Sequence, residues 1–280
     1  MSRVAVIGIV GNSVFLPVEN FHVGGETVEA ISAHFEPGGK GFNAAVAAKR
    51  FGAQVSFLAA LGSEGSEGIE AFLEKEGIDC TLVHKSGAGA FAAIITDKNG
   101  SNRVTVYQGV QLDCTDVDLF ESEIASSDVL LLNNEVPENV NIKAVMIAKK
   151  HGVPVILNPA PARELNAYLL DNVTLFTPNE HEQIGLEDKG NVVTTLGKHG
   201  CYIRSLDVTF PAIDVAEVVD TTGAGDTFNG VLAAMMAQGN KLEYSVKMAN
   251  LASSVEVTRK GAVTSIPTKD EVLAYVEKLT

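Results

Sequence analysis

Val218-Val219-Asp220-Thr221-Thr222-Gly223-Ala224-Gly225-Asp226-Thr227-Phe228-Asn229-Gly230 is the stretch whose reading decides the fold. A short apolar run leads into it, and an alanine-rich apolar segment, residues 231–237, leads out. Locally this reads as strand, glycine-rich turn and helix start. Gly223 and Gly225 permit positive φ and a close approach of backbone to ligand. The first N–H groups of the helix have no intrahelical acceptor and carry the positive end of its dipole. Such a turn is an anion site. It also holds a carboxylate, Asp226. Amides that hold a phosphate, beside an acid that faces a hydroxyl, suit phosphoryl transfer. An aspartate that only caps its helix suits the same position.

A second glycine-rich turn, Pro37-Gly38-Gly39-Lys40-Gly41-Phe42-Asn43, feeds an alanine-rich helix over 44–51 that Gly52 ends. It is not a Walker A loop: His34 stands where that motif needs glycine, and Gly41 rather than Ser or Thr follows Lys40. Gly8-Ile9-Val10-Gly11 gives no G-x-G-x-x-G after the first strand, which disfavours a dinucleotide fold.

Between these turns the chain alternates strand and helix. Apolar runs at 3–9, 54–61, 128–132, 153–157, 173–176 and 191–195 read as buried strands. Helical patterns cover 66–76, 116–124, 138–151, 224–238, 242–257 and 269–279. Asn99-Gly100 is a hairpin turn between 91–96 and 103–107. The order predicts an α/β fold: a doubly wound, mostly parallel sheet flanked by helices. The turns at 38–43, 158–161, 177–182, 195–200 and 223–226 then gather at the carboxyl ends of strands, where such sheets bind ligands. Extended segments near 12–18, 28–35, 91–97 and 103–109 belong to no strand-helix unit and form a small β-sheet lid. No linker or repeat interrupts the chain, so residues 1–280 read as one domain.

Composition narrows the function classes. With 46% hydrophobic and 20% charged residues the chain is an ordinary globular one. No apolar run reaches membrane-span length, and the first residues lack a signal-peptide pattern. Cys80, Cys114 and Cys201 are far apart and odd in number, which points to a reducing, cytoplasmic compartment. The net charge of −14 is a poor match for nucleic acid. An anionic cosubstrate needs a local site or a metal to overcome that field.

Five stretches, in this order, resemble the ribokinase branch of the phosphofructokinase B family of sugar and nucleoside kinases. They are residues 38–43 with Ala45-Val46-Ala47-Ala48, then Leu157-Asn158-Pro159-Ala160-Pro161-Ala162-Arg163-Glu164-Leu165, then Thr177-Pro178-Asn179-Glu180, then 220–230, then Val257-Thr258-Arg259-Lys260-Gly261-Ala262. The likeness runs over most of the chain. It implies a ribokinase-like fold and ATP-dependent transfer of the γ-phosphate to a hydroxyl of a pentose, with ribose giving ribose 5-phosphate as the leading reaction. It implies that Asp226 is the catalytic base and that Gly223, Ala224 and Gly225 form an anion hole. Gly11, Ser13, Gly39, Lys40, Asn43 and Glu135 match the substrate positions; a solvated loop lysine is the other reading of Lys40.

Asn179 and Glu182 resemble an Asn-x-x-Glu element that acts on Mg²⁺ and the phosphates, Glu182 through the metal's waters. A plain first-turn glutamate is the other reading. Thr195, Gly197 and Gly200 match a nucleotide loop, and Asn250 falls at an adenine position, or is an ordinary helix residue. Asp220, Thr222, Glu256, Arg259, Gly261 and Ser265 match a site for K⁺, mostly through backbone carbonyls. The resemblance also implies a homodimer formed through the lid.

Two departures stand out. The family's Asn-x-Asp after the first strand is Gly11-Asn12-Ser13 here, so the carboxylate that reads sugar hydroxyls is missing. A one-residue shift that puts Asn12 in that role needs a bulge. The altered pocket leaves deoxyribose, a ketose or a nucleoside as other acceptors, and a non-catalytic sugar-binding regulator as a reading of another class. Only 180–191 separates Asn179 from the next strand, where the family has an extra helix.

Overall fold

A computed structural model describes residues 2–98, 101–215 and 217–277. In chain order the elements are β1 (Arg3–Ile7), β2 (Gly11–Pro17), β3 (His34–Gly38), α1 (Lys40–Arg50), β4 (Gln54–Glu64), α2 (Ile69–Glu76), β5 (Asp79–Ala88), β6 (Ala90–Thr96), β7 (Asn102–Tyr107), α3 (Cys114–Asp118), α4 (Glu121–Ala125), β8 (Val129–Asn133), α5 (Glu138–His151), β9 (Val155–Asn158), α6 (Ala167–Asn172), β10 (Leu175–Phe176), β11 (Val193–Thr195), β12 (Cys201–Ile203), β13 (Val208–Phe210), α7 (Ala224–Ala237), α8 (Leu242–Glu256) and α9 (Lys269–Glu277).

Six strands form a parallel sheet in the order β10-β9-β8-β1-β4-β5. Residues 4–7 of β1 and 129–132 of β8 are apolar at every position because helices cover both faces. Val4, Val6, Val129 and Leu131 face a core shared with α1, α7 and α8. Ala5, Ile7, Leu130 and Leu132 face a second core shared with α5. β11 extends this sheet through parallel bridges, Phe176 to Val192 and Asn179 to Thr195, before β12 and β13 fold back antiparallel. The lid is a separate mixed sheet, β3-β2-β6-β7.

α1 is fixed by its first turn. Phe42 is fully buried, with ring centroids 6.4 Å from Phe57 and 5.5 Å from Phe72. Burying such a side chain contributes about 2 kcal/mol. It anchors the turn that also carries Lys40 and Asn43. α7 begins after Gly223, whose φ of 91° favours glycine; a Cβ there would also lie 2.8 Å from Glu256 Oε1.

Several expectations are corrected. The second lid strand is His34–Gly38, not 28–35. Residues 28–33 form no strand: Ile31 N donates to Pro17 O at the end of β2, and the Ile31 side chain is exposed. Pro37 is tolerated because β3 is an edge strand. The run at Val218-Val219 is not a strand: the N–H groups of Val219 and Asp220 both donate to Val257 O, and Val218 is exposed. The 177–182 turn leads into further turns rather than a helix. The 116–124 helix is two short ones, and the 66–76 helix begins at Ile69. β5, α6, β12 and β13 were not anticipated. The Asn99-Gly100 turn lies outside the described residues, though β6 and β7 on its two sides pair antiparallel. Leu279, in the expected last helix, also lies outside them. Among the described residues no helix is long and apolar enough to cross a membrane.

Candidate active site

The N-terminal turns of α1 and α7 meet. Asp226 is buried in the first turn of α7 and accepts from Asn43 Nδ2 at 2.9 Å. Lys40 Nζ lies 3.6 Å from its other oxygen. The Lys40 backbone N–H donates to Glu135 Oε2 at 2.7 Å. Glu135 is held in turn by its own N–H, which donates to Asn133 Oδ1 at 2.9 Å. The Asp226 carboxylate beside Lys40 raises the ammonium's pKa, with smaller contributions from Glu135 and Glu182 working against the opposing effect of burial. Burial pushes the Glu135 carboxyl up to about 7, partly offset by Lys40. Asn43 Oδ1 is buried and has no hydrogen-bond partner among the described residues. A buried acceptor without a donor is costly, and a ligand hydroxyl would relieve it. Gly39, Lys40, Asn43, Glu135 and Asp226 are therefore brought together.

The lid closes one side of this cluster. Ser13 is buried on β2, and its Oγ lies 2.7 Å from where a Cβ on Gly38 would stand. β2 pairs without a bulge, and Asn12 Nδ2 donates away from the pocket to Gly65 O and Glu67 O. The shifted reading of Asn12 is thereby corrected. Gly11 has a reason of its own: a Cβ there would stand 2.1 Å from Ala90 O on β6.

Behind Gly223 lies a second group. Asp220 accepts from Thr222 N at 2.9 Å and Gly261 N at 3.2 Å. Ser265 Oγ lies within 2.7 Å of both Gly261 O and Ala262 O and donates to Glu256 Oε1 at 3.1 Å. The Glu256 carboxyl is buried, and burial holds it well above its usual range, with the Thr227 hydroxyl partly offsetting that rise. The Arg259 side chain turns away to Glu271. What remains is oxygen donors with no positive side chain in contact, which is the chemistry of a hard-cation pocket.

At the strand ends beyond, Asn179 donates to Glu182 from its backbone N at 2.9 Å and from Nδ2 at 2.8 Å. Each carboxylate oxygen keeps a lone pair for a metal-bound water. No group of three His, Cys, Asp or Glu residues among the described residues would hold a metal unaided. A magnesium ion suits this place only when it arrives with phosphate oxygens. Thr195 pairs with Asn179, and residues 197–200 form the tight turn after β11. Asn250 spends its amide donor on Pro211 O, 2.8 Å away.

A family model described as pfkB family carbohydrate kinase matches residues 1–184 and 183–269. The chain belongs to that family. Among relatives of this kinase, the ribokinase of Haemophilus influenzae is 34% identical over 97% of this chain and 97% of its own. A deoxyribokinase of Salmonella typhi is 32% identical, covering 90% of this chain and 91% of its own. The Arabidopsis thaliana ribokinase structure, complexed with ribose and ATP, superimposes with a TM-score of 0.85 at 26% identity, covering 99% of each chain.

The residues expected around the transferred group in this kinase thus lie in three adjoining clusters. One buried charge was not anticipated. Glu36 on β3 accepts from Ala262 N at 2.6 Å, from Thr264 N at 3.2 Å and from Thr264 Oγ1 at 2.8 Å. The only signal in the sequence is an acidic residue within a segment otherwise ready for burial.

Proposed function

We propose that this carbohydrate kinase phosphorylates ribose, using ATP with Mg²⁺, to give ribose 5-phosphate. The observation that carries the reading is the Asn43–Asp226–Lys40 cluster at the N-terminus of α7. Asp226 takes the proton of the attacking hydroxyl as the new O–P bond forms and ADP leaves. Asn43 orients that carboxylate, and its free Oδ1 accepts from a sugar hydroxyl. The N–H groups of Gly223, Ala224 and Gly225 face the charge on the transferring phosphoryl. Lys40, its pKa raised, stays a cation throughout. Gly39 and Glu135 line the sugar, with Gly11 and Ser13 from the lid. Magnesium, when bound, supplies charge neutralisation along the phosphates; Asn179 and Glu182 would hold its waters. Thr195, Gly197, Gly200 and Asn250 border the nucleotide.

The pocket behind Gly223 would hold K⁺ through Asp220 and Ser265 and the carbonyls of Thr222, Glu256, Arg259 and Gly261. The oxygen-rich lining, with the Ser265 hydroxyl and the Glu256 carboxyl buried in it, supports a cation there. Three unpaired cysteines support a reducing, cytoplasmic setting.

The test is ADP release with Mg-ATP, in K⁺ and in Na⁺, across ribose, 2-deoxyribose, arabinose, xylose, fructose and adenosine. Ribose should win by about tenfold or more, the scale of one missing pocket contact. Another winner moves the substrate and leaves the chemistry. Equal rates in the two salts remove the K⁺ assignment.

The kinase also pairs through its lid as a homodimer. Phe35, Phe91 and Tyr107 share one face of the lid sheet and are exposed, as an interface core requires. Light scattering should give twice the mass of one chain; a monomer refutes the pairing.

A further inference from the structure

The lid and the anion hole do not touch directly, yet one loop lies against both. Residues 261–265 connect α8 to the last helix. On the lid side, Glu36 gathers three donors from this loop, two backbone N–H groups and the Thr264 hydroxyl. Around the same point, Ala262 packs against Phe15, Ile94 and Ala92 of the lid. On the other side, a Cβ on Gly223 would come within 3.4 Å of Ala262 Cα, and Gly261 N donates to Asp220 Oδ2.

The loop is also held from below. Arg50, at the end of α1, donates to Val263 O at 3.2 Å and Ile266 O at 2.6 Å, and Glu76 fixes its guanidinium. Three donors of the loop thus go to the lid, Gly261 N goes to Asp220, and the carbonyls of Val263 and Ile266 accept from the body. The body contact is set by packed helices. The polar part of the lid contact rests on one carboxylate, Glu36, beside the apolar packing of Ala262.

That carboxylate sits next to the sugar pocket. In the register of the lid, Glu36 pairs with Ser13, so both side chains lie on one face of adjacent strands. A sugar that moves the backbone at Ser13 moves Glu36 with it. A fully buried carboxylate also has little freedom to give up its donors, because an unpaired charge there is costly. The loop must follow.

We propose that Glu36 is a positioning residue: it carries the placement of the lid, through Ala262, to the anion hole at Gly223. Its role differs from fastening the lid. A fastener changes how tightly sugar binds. A positioning residue also changes how well the bound sugar reacts. The inference depends on the sugar-kinase reading only for where the sugar sits.

The experiment is hydrogen exchange by mass spectrometry on the full chain, with and without D-ribose, for the wild type, Glu36→Ala and Thr264→Val. In the wild type ribose should slow exchange at 261–265 and at 221–225 by about tenfold, an ordinary coupling. In Glu36→Ala, with ribose binding verified by calorimetry, slowing should persist in β2 and vanish at 221–225. Its kcat at saturating ribose should fall about tenfold, the lower range of positioning effects. Thr264→Val keeps Glu36 and both N–H donors and should lose part of each effect; it decides the question if Glu36→Ala does not fold. Wild-type slowing at 221–225 that survives in the variants, or a change in ribose KM with kcat untouched, overturns the proposal. Failure of ribose to bind the wild type concerns the substrate instead, and the same comparison is then made with the acceptor that turns over.

Discussion

At the α7 end of the pocket, each charged group is held by a partner from a distant part of the chain. Asp226 is held by Asn43 and Lys40, and Glu135 by the Lys40 backbone. At the lid end, the pocket positions are small and nearly mute: Gly11 has no side chain, and Ser13 offers one hydroxyl beneath Gly38. The first region is built into helices packed on the main sheet. The second is a separate four-stranded sheet. The difference separates chemistry from choice of acceptor. Asp226 takes its side-chain partners from α1 rather than from Gly11 or Ser13, so on the proposed reading those two lid positions are free to vary the acceptor while Glu36 keeps the lid tied to the loop at Ala262.

The largest expected effect tests the rigid end. Asp226→Asn should lower kcat by about 10³-fold, the scale of a lost general base, with ATP and sugar KM within a few-fold, read by ADP release. Retained activity would mean that the α7 turn only binds phosphate. The next concerns Glu135, whose carboxyl is raised from 4.5 to about 7. The folded chain holds this proton more tightly than the unfolded one. Its stabilisation is therefore complete below pH 4.5 and is lost as pH rises through 7. The difference is about 3 kcal/mol. Urea denaturation from pH 4.5 to 8 should show the wild type losing about that much more than Glu135→Gln. Parallel curves would place Glu135 in solvent and weaken the contrast with the lid. The smallest effect sharpens the lid side. Gly11→Asn restores the family's residue but drives a Cβ to 2.1 Å from Ala90 O. It should cost about 2 kcal/mol of stability, as overpacking does, read by thermal melting. If it is neutral, the lid strands re-register more freely than their pairing indicates.

Much of the rigid end was legible in the sequence. The glycine-rich turns around Lys40 and Asp226 are local signals, and the two helices that follow them begin within a few residues of where their patterns start. The lid was read less well because its signals are not local. Residues 28–33 reach only the end of β2, where Ile31 N donates to Pro17 O, whereas His34–Gly38 carries a proline and a glycine and pairs along the length of β2. Val218-Val219 reads as buried, yet only the end of α8 lies alongside to take its N–H groups. β5 was missed because an edge strand can stay polar; much of its length faces solvent. Glu36 was invisible for a related reason. Its partners are backbone N–H groups far away in sequence, and no side-chain pattern announces them.

The hydrogen bond between Asn43 and Asp226 spans 183 positions of the chain. Contacts of that sequence separation are the slow ones in folding, since the intervening loop must close first. A ribosome that has released the lid and α1 has produced Lys40 and Asn43 without Asp226. The Asn43–Asp226 pair therefore forms only once α7 docks on α1, and a chain cut between them leaves the two halves of the cluster on separate pieces.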